Sequence, residues 1–352
     1  MNIKKYDCIV VGQGLAGSVL ALQLLWSGKK VMVISEPSLS SSSMVAAGLW
    51  NPVVFKRLTK SWMIDELLPE MIRFYSTVEK ELGLQLIQER KITKLFSEEQ
   101  EEALWLKKSG SDLHHYLENK IYQQHSLTGN KYSFVLNCGN LHIPLFLGST
   151  KNYLQQQEAY TGEIFDYSVL QLNAGGVGYK NVRAAAVIFC EGHCCAHNPY
   201  FRWVPLKPAK GEVITISCKD LDLEHVLNKG IFILPLGNDT YKVGATYEWE
   251  DLSESPTEKG KNYLLEKLNR LISKPYSILK HEAGIRPSVI DRRPVMGNHP
   301  QHSALKLFNG MGTKGVMLAP YFARHFSDFM EGKCPLLKEV DLERFKHLQD
   351  IQ

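Results

Sequence analysis

The sequence predicts an α/β nucleotide-binding unit interleaved with a smaller, mostly antiparallel β unit. Three observations carry this. A strand–turn–helix–strand pattern with Gly12-Gln13-Gly14-Leu15-Ala16-Gly17 at its turn stands near the start of the chain. Between Pro205 and Lys280, short apolar runs joined by turn residues read as antiparallel strands. Helical and glycine-turn patterns return on both sides of that stretch, so the chain crosses between the two units more than once.

The first unit is a Rossmann-like element. The apolar run Cys8-Ile9-Val10-Val11 enters the glycine turn, a helical pattern (Ala21, Leu24, Leu25) ends at Gly28, and a second apolar run, Val31-Met32-Val33-Ile34, follows. Gly12 allows a tight turn, Gly14 lets backbone approach a pyrophosphate, and Gly17 lets the helix pack closely on the sheet. The helix start, with Leu15 and Ala16, offers free amides and a partial positive charge to phosphates. The acid that binds ribose hydroxyls normally ends the second strand. That slot holds Ser35, with Glu36 next; the reading favours Glu36, with Ser35 as the alternative contact.

Further along, Ser38 to Ser43 is a low-complexity patch that leads into Met44-Val45-Ala46-Ala47-Gly48-Leu49-Trp50. Small side chains there let backbone pass close to something flat and bulky. A helix is expected at about 60–82, a strand at 87–96, an acidic helix at 97–108, and a turn at 139–144 opening a helix to 161. A strand at 185–190 ends at Glu191-Gly192. The later strands are expected at 213–218, 230–236 and 241–247, followed by an amphipathic helix at 256–272. A final helix is expected at 316–330, where Pro320 is tolerable only in the first turn. The expected division is 1–83, 137–204 and 281–352 for the nucleotide-binding domain, and 84–136 with 205–280 for the substrate-binding domain.

Composition narrows the class. The chain has 352 residues, enough for two domains, with 44% hydrophobic and 22% charged residues. The net charge of +4, from 41 basic and 37 acidic residues, gives no push toward nucleic acid or membrane surfaces. No apolar stretch reaches the ~18 residues of a membrane span. Seven cysteines without regular spacing, and a nucleotide motif too near the start to leave room for a signal peptide, fit a cytoplasmic protein. His193, Cys194, Cys195 and His197 form a dense cluster, but adjacent cysteines cannot easily turn both thiolates to one ion, and no metal is expected. Trp50, Trp62 and Trp203 read as core or domain-interface residues.

Several ordered segments together resemble the FAD-dependent amino-acid oxidase family, which includes D-amino-acid oxidase, glycine oxidase and sarcosine oxidase. They are Ser43 through Pro52, Pro208-Ala209-Lys210-Gly211-Glu212, Ile233-Leu234-Pro235 with Val243 through Glu248, Gly284-Ile285-Arg286-Pro287, Pro294 through Gly297, and Gly310 through Pro320. The last loop, Gly312-Thr313-Lys314-Gly315, is also similar to the FAD domain of bacterial tRNA wobble-uridine modification enzymes.

The resemblance implies FAD as cofactor. It places Ser43, Ala46, Ala47, Gly48, Gly192, Gly310, Gly312, Thr313, Lys314 and Gly315 beside it. The implied reaction is oxidation of a C–N bond by hydride transfer to flavin N5, giving an imine that hydrolyses. Arg286 would clamp the substrate carboxylate, for which a planar guanidinium suits a bidentate grip. Thr313, Lys314 and the amides at a helix start would face the flavin C2 carbonyl and N1. Arg292 and Arg293 read as solvated charges. One departure stands out: glycine oxidase-like sequences carry a carboxylate-holding tyrosine where this chain has Phe232. Tyr247, Lys60 or Arg57 would have to replace its hydroxyl, or the substrate is not a simple small amino acid. Two rival readings remain. One is removal of a carboxymethyl group from an aminomethyl-uridine of tRNA, with Lys56, Arg57 and Lys60 as a local basic face. The other is a flavin-binding protein with no substrate of its own.

Overall fold

The computed structural model describes residues 3–36 and 42–351. Ser40 and Ser41, and most of the serine-rich patch, lie outside the described residues. Two eight-stranded sheets organise the chain. In the first, Leu305–Asn309, Val182–Phe189, Lys4–Val11 and Val31–Ile34 run parallel in that order. Val295–Asn298 flanks them antiparallel and Tyr160–Thr161 parallel. Apolar clusters cover both faces of this sheet, as a parallel sheet requires. The helix Leu15–Trp26 is buried over most of its length because it lies between this sheet and the helices Gly315–Met330 and Ile143–Gln156.

The second sheet has the order Ser277–Arg286, Ala209–Ser217, Thr240–Gly244, Phe232–Gly237, Val226–Asn228, Ile87–Leu95, Tyr132–Leu141, Leu49–Trp50. Only the pairing of Val226–Asn228 with Ile87–Leu95 is parallel. One face packs against the helix Glu258–Asn269 around Ile214, Ile216, Leu264 and Leu268. The other looks toward the first sheet.

Three local expectations change. Residues 139–141 are not a turn but the end of the strand Tyr132–Leu141, and the turn begins at His142, whose side chain caps the next helix by accepting from Leu145 N at 3.2 Å. That strand crosses the expected boundary at 136/137, and Ser277–Arg286 crosses the one at 280/281. By sheet membership the second unit therefore runs on to Leu141 and Arg286. Pro320 sits in the second turn of Gly315–Met330, not the first. The Val316 carbonyl, which loses its intrahelical partner to the proline, accepts instead from the buried Tyr75 Oη at 3.3 Å.

Candidate active site

A cavity of about 980 Å³ opens between the carboxyl ends of the parallel strands and the inner face of the second sheet. Val11, Ile34, Cys190 and Asn309, each at or just past a strand end, line it, the place where open α/β sheets receive ligands. Gly12 has φ +97°, and a β-carbon there would lie 2.7 Å from the Cys190 carbonyl oxygen. A β-carbon at Gly17 would lie 1.9 Å from the Gly12 carbonyl oxygen. Only glycine allows this turn and this helix approach. Gly14 offers no side-chain cap and the helix has no acid in its first turn, so its positive end faces the cavity with no opposing charge in that turn.

Most of the sequence-predicted cofactor residues meet here. Gly12, Gly14, Leu15, Ala16, Ser35, Glu36, Ser43, Ala46, Ala47, Gly48, Gly192, Gly312, Thr313 and Gly315 all line the cavity. Ser35 Oγ accepts from Gln13 N at 3.2 Å, tying the second strand to the glycine turn. Ser43 Oγ accepts from Leu15 N at 3.0 Å, fixing the small-residue loop against the helix start. Gly17 and Gly310 shape backbone behind the wall and do not line it; a β-carbon at Gly310 would lie 2.7 Å from Val289 Cγ2.

The opposite wall belongs to the second sheet. Ile92, Val213, Val226 and Phe232 make it apolar; Asn228 and Arg286 are its polar groups. The Arg286 guanidinium lies across Gly211, where a β-carbon would come within 2.0 Å of Nη2. Its Nη1 donates to the Lys210 carbonyl at 3.1 Å and its Nη2 to the Thr246 carbonyl at 3.2 Å. Tyr247 covers one face, with Cζ 4.8 Å from the ring centroid. Burial lowers the guanidinium's pKa from its ordinary value.

Three expected site residues point elsewhere. Lys314 turns away from the cavity and donates to Ser61 Oγ; burial, then the nearby Arg293 charge, pushes its ammonium down to about 8. Lys60 pairs with Asp65 at 2.8 Å. Tyr247 supports Arg286 but does not line the cavity, so its hydroxyl does not replace the one missing at Phe232. Arg293 is not simply solvated, since its guanidinium stacks 4.2 Å over Trp62. Trp50, Trp62 and Trp203 stay out of the cavity wall.

Glu191 is the residue sequence reading passed over. It lines the cavity with Tyr167, which donates to its Oε1, while Asn198 Nδ2 donates to Oε2 at 2.7 Å. Burial pushes its carboxyl up to about 7. Its only sequence signal was a charged residue at the end of an apolar strand. In the neighbouring cluster, Cys195 is fully buried and directed at the Phe201 carbonyl, whereas Cys194 lies beside His193. The two thiols diverge.

The sequence profile of the family described as DAO, FAD dependent oxidoreductase, matches residues 7–329. The chain belongs to this family. As an FAD-dependent oxidoreductase it carries FAD as its cofactor, and the glycine turn, the uncapped helix start and the small-residue loop fit such a group. It is 23% identical to the glycine oxidase of Bacillus subtilis over 94% of both chains. It is 27% identical to the tRNA 5-methylaminomethyl-2-thiouridine biosynthesis bifunctional protein MnmC of Marinobacter nauticus, over 42% of this chain and 26% of that protein. Among solved structures, glycine oxidase from Geobacillus kaustophilus superposes with a TM-score of 0.76 at 19% identity, covering 97% of this chain and 98% of that one. Iminodiacetate oxidase from Chelativorans sp. BNC1 gives 0.76 at 19% identity, over 96% and 98%. These likenesses show that the FAD-dependent oxidoreductase fold extends over nearly the whole chain. Among the described residues, no helix is long and apolar enough to cross a membrane.

Proposed function

We propose that this oxidoreductase oxidises the C–N bond of an amino acid or secondary amine that carries a carboxylate, and that Arg286 holds that carboxylate. The observation that carries the reading is a guanidinium that, with Asn228, is all the polar side chain in a wall made apolar by Ile92, Val213, Val226 and Phe232, preset by two backbone carbonyls and facing the cavity where the family's cofactor belongs. FAD, when bound, would supply the hydride acceptor for the substrate's α-carbon, so that the product would be an imine open to hydrolysis. The chain's residues bind and orient. Gly12, Gly14, Leu15 and Ala16 would receive the pyrophosphate, with Gly17 packing the helix against the turn behind them. Ser35 is engaged with the glycine turn, and Glu36 takes the ribose. Ser43, Ala46, Ala47 and Gly48 pass beside the ring system, and Gly192, Gly312, Thr313 and Gly315 complete its surround. Arg286 supplies the charge-assisted grip, and Asn228 stands in for the polar group missing at Phe232. The apolar wall excludes water and strengthens these contacts.

The names of relatives point the same way: glycine oxidase and iminodiacetate oxidase act on amines that bear a carboxylate. The test is an anaerobic panel of glycine, sarcosine, iminodiacetate and D-amino acids against the yellow protein. Bleaching by at least one supports the reading; no bleaching across the panel sinks it. Arg286→Ala is expected to keep FAD absorbance while kcat/KM falls by about 30-fold to several thousandfold, the cost of losing a buried charged contact of about 2–5 kcal/mol. Turnover that survives the change removes the clamp assignment.

A second reading, action on a carboxymethylaminomethyl group of tRNA wobble uridine, is favoured by the partial match to MnmC. Lys56 and Arg57 are also exposed on the turn whose Phe55 lines the cavity. Salt-sensitive retention of tRNA, with a slope reduced by Lys56→Ala and Arg57→Ala, would favour it.

A further inference from the structure

Behind Arg286 lies a buried charge that the binding of cofactor and substrate does not call for. Lys210 is fully buried; its Nζ stands 2.6 Å from Asp251 Oδ2, 3.0 Å from Ser253 Oγ and 3.9 Å from Glu212 Oε1. Glu212 is buried as well and accepts from Thr257 N at 3.0 Å, Thr257 Oγ1 at 2.8 Å and His281 Nε2 at 2.8 Å. A buried lysine is costly unless paired and hydrogen-bonded. Its two hydrogen-bonding partners, Asp251 and Ser253, sit on the segment 246–254, which is otherwise a surface excursion of the second sheet.

That segment is tied at several points. Thr246 N donates to the Glu212 carbonyl at 3.2 Å, Glu212 N donates to Thr246 Oγ1 at 2.8 Å, and Lys210 and Glu248 exchange both backbone bonds. The far end reaches the nucleotide-binding half, where Glu254 lines the cavity and lies 3.5 Å from His193 Nε2. The segment is therefore a strap between the two halves. Along it stand two of the groups that hold the clamp: the Thr246 carbonyl on Nη2 and the Tyr247 ring on the guanidinium face. The third, the Lys210 carbonyl on Nη1, belongs to the residue that pins the strap.

We infer that Lys210 and Asp251 are positioning residues for Arg286: the ion pair between the buried Lys210 ammonium and Asp251 fixes the 246–254 strap and thereby the aim of the guanidinium. This rests on the reading of Arg286 as the carboxylate clamp. A guanidinium with five donors can turn among several partners; the pinned strap leaves it one orientation, with its remaining donors toward the cavity.

The test measures binding of propionate, acetate and benzoate, and of propionamide as neutral control, to the FAD-loaded protein by perturbation of the visible flavin spectrum. Asp251→Asn and Lys210→Met are each expected to raise the Kd for the carboxylates about tenfold. The Kd for propionamide should move less than twofold, with FAD content unchanged. In turnover the same variants raise KM and leave kcat within a factor of about three. In an Arg286→Ala background Asp251→Asn adds nothing further. Lys259→Ala, which removes an exposed ion pair with Glu248, leaves every value unchanged. Should Lys210→Met fail to fold, Asp251→Asn decides, because the Asp251 side chain is 43% exposed and the asparagine amide oxygen can still accept from Lys210 Nζ. Carboxylate affinity within twofold of the parent in FAD-loaded Asp251→Asn overturns the inference. If Arg286→Ala itself leaves carboxylate binding unchanged, or no carboxylate binds the parent, the clamp reading fails and this inference falls with it. If Arg286→Ala abolishes binding and Asp251→Asn does not, only the inference fails.

Discussion

Replacing Lys314 with methionine is expected to stabilise the FAD-free protein near neutral pH, and by an amount the structure sets. The ammonium is held against Ser61 in a largely buried site beside the Arg293 guanidinium, and its pKa falls from 10.5 to about 8. At about 1.4 kcal/mol per pH unit, the difference is about 3 kcal/mol. The unfolded chain binds this proton more tightly than the folded one. The penalty is therefore fully present below pH 8, shrinks as pH rises, and is gone above about 10.5. Methionine keeps most of the side-chain volume without the charge, and Ser61 Oγ still donates to the Asn51 carbonyl at 3.2 Å. An unfolding entropy of about 2.1 cal/mol/K per residue over 352 residues converts about 3 kcal/mol into about 4 °C of Tm. Differential scanning calorimetry of parent and variant from pH 6 to 11 checks it. A gain of about 4 °C at pH 7 that disappears by pH 10.5 supports the reasoning. A difference independent of pH, or a loss at pH 7, refutes it, because the lysine would then be neither desolvated nor crowded by charge.

Other outcomes follow from the same geometry. Gly17→Ala is expected to abolish FAD retention, since its β-carbon would fall 1.9 Å from the Gly12 carbonyl oxygen; a yellow purified variant would contradict this. Tyr75→Phe removes the donor serving the Val316 carbonyl and is expected to cost about 1–3 kcal/mol in denaturant unfolding. Combining it with Pro320→Ala, which restores an intrahelical donor, should recover part of that loss. Glu191 titrates near 7 beside the site of an anionic dinucleotide. Glu191→Gln is therefore expected to tighten FAD binding severalfold at pH 8.5 and to change it little at pH 6, read by titrating the FAD-free protein and following flavin fluorescence.

The nucleotide half was legible because its physics is local. A turn with φ of +97° at Gly12, a helix packed against that turn at Gly17, and strands buried on both faces each demand residue types that the chain shows in order. The small-residue loop at Ser43 to Gly48 was legible for the same reason; Arg286 stood out through the resemblance of Gly284-Ile285-Arg286-Pro287, the first three of which form the end of the strand Ser277–Arg286. Lys314 and Tyr247 were not legible. They adjoin cavity residues in sequence, yet the rotation of one helix start and one strand end sends the first toward Ser61 and the second behind the guanidinium. Pro320 was misplaced because the donor that makes it tolerable, Tyr75, lies 241 positions away from Val316.

The amino-acid sequence by itself determined the nucleotide-binding turn and the two-unit plan, which follow from backbone freedom and apolar period, and the order of its motifs carried the resemblance that implied FAD. Only the tertiary structure decided which charges face the cavity and which are consumed behind it. Lys210, Glu212 and Asp251 look like ordinary polar residues along the chain. Lys210 and Glu212 become buried beside Arg286, with the half-exposed Asp251 against the ammonium, because segments remote in sequence close over them, and desolvation then makes the pairing of Lys210 obligatory.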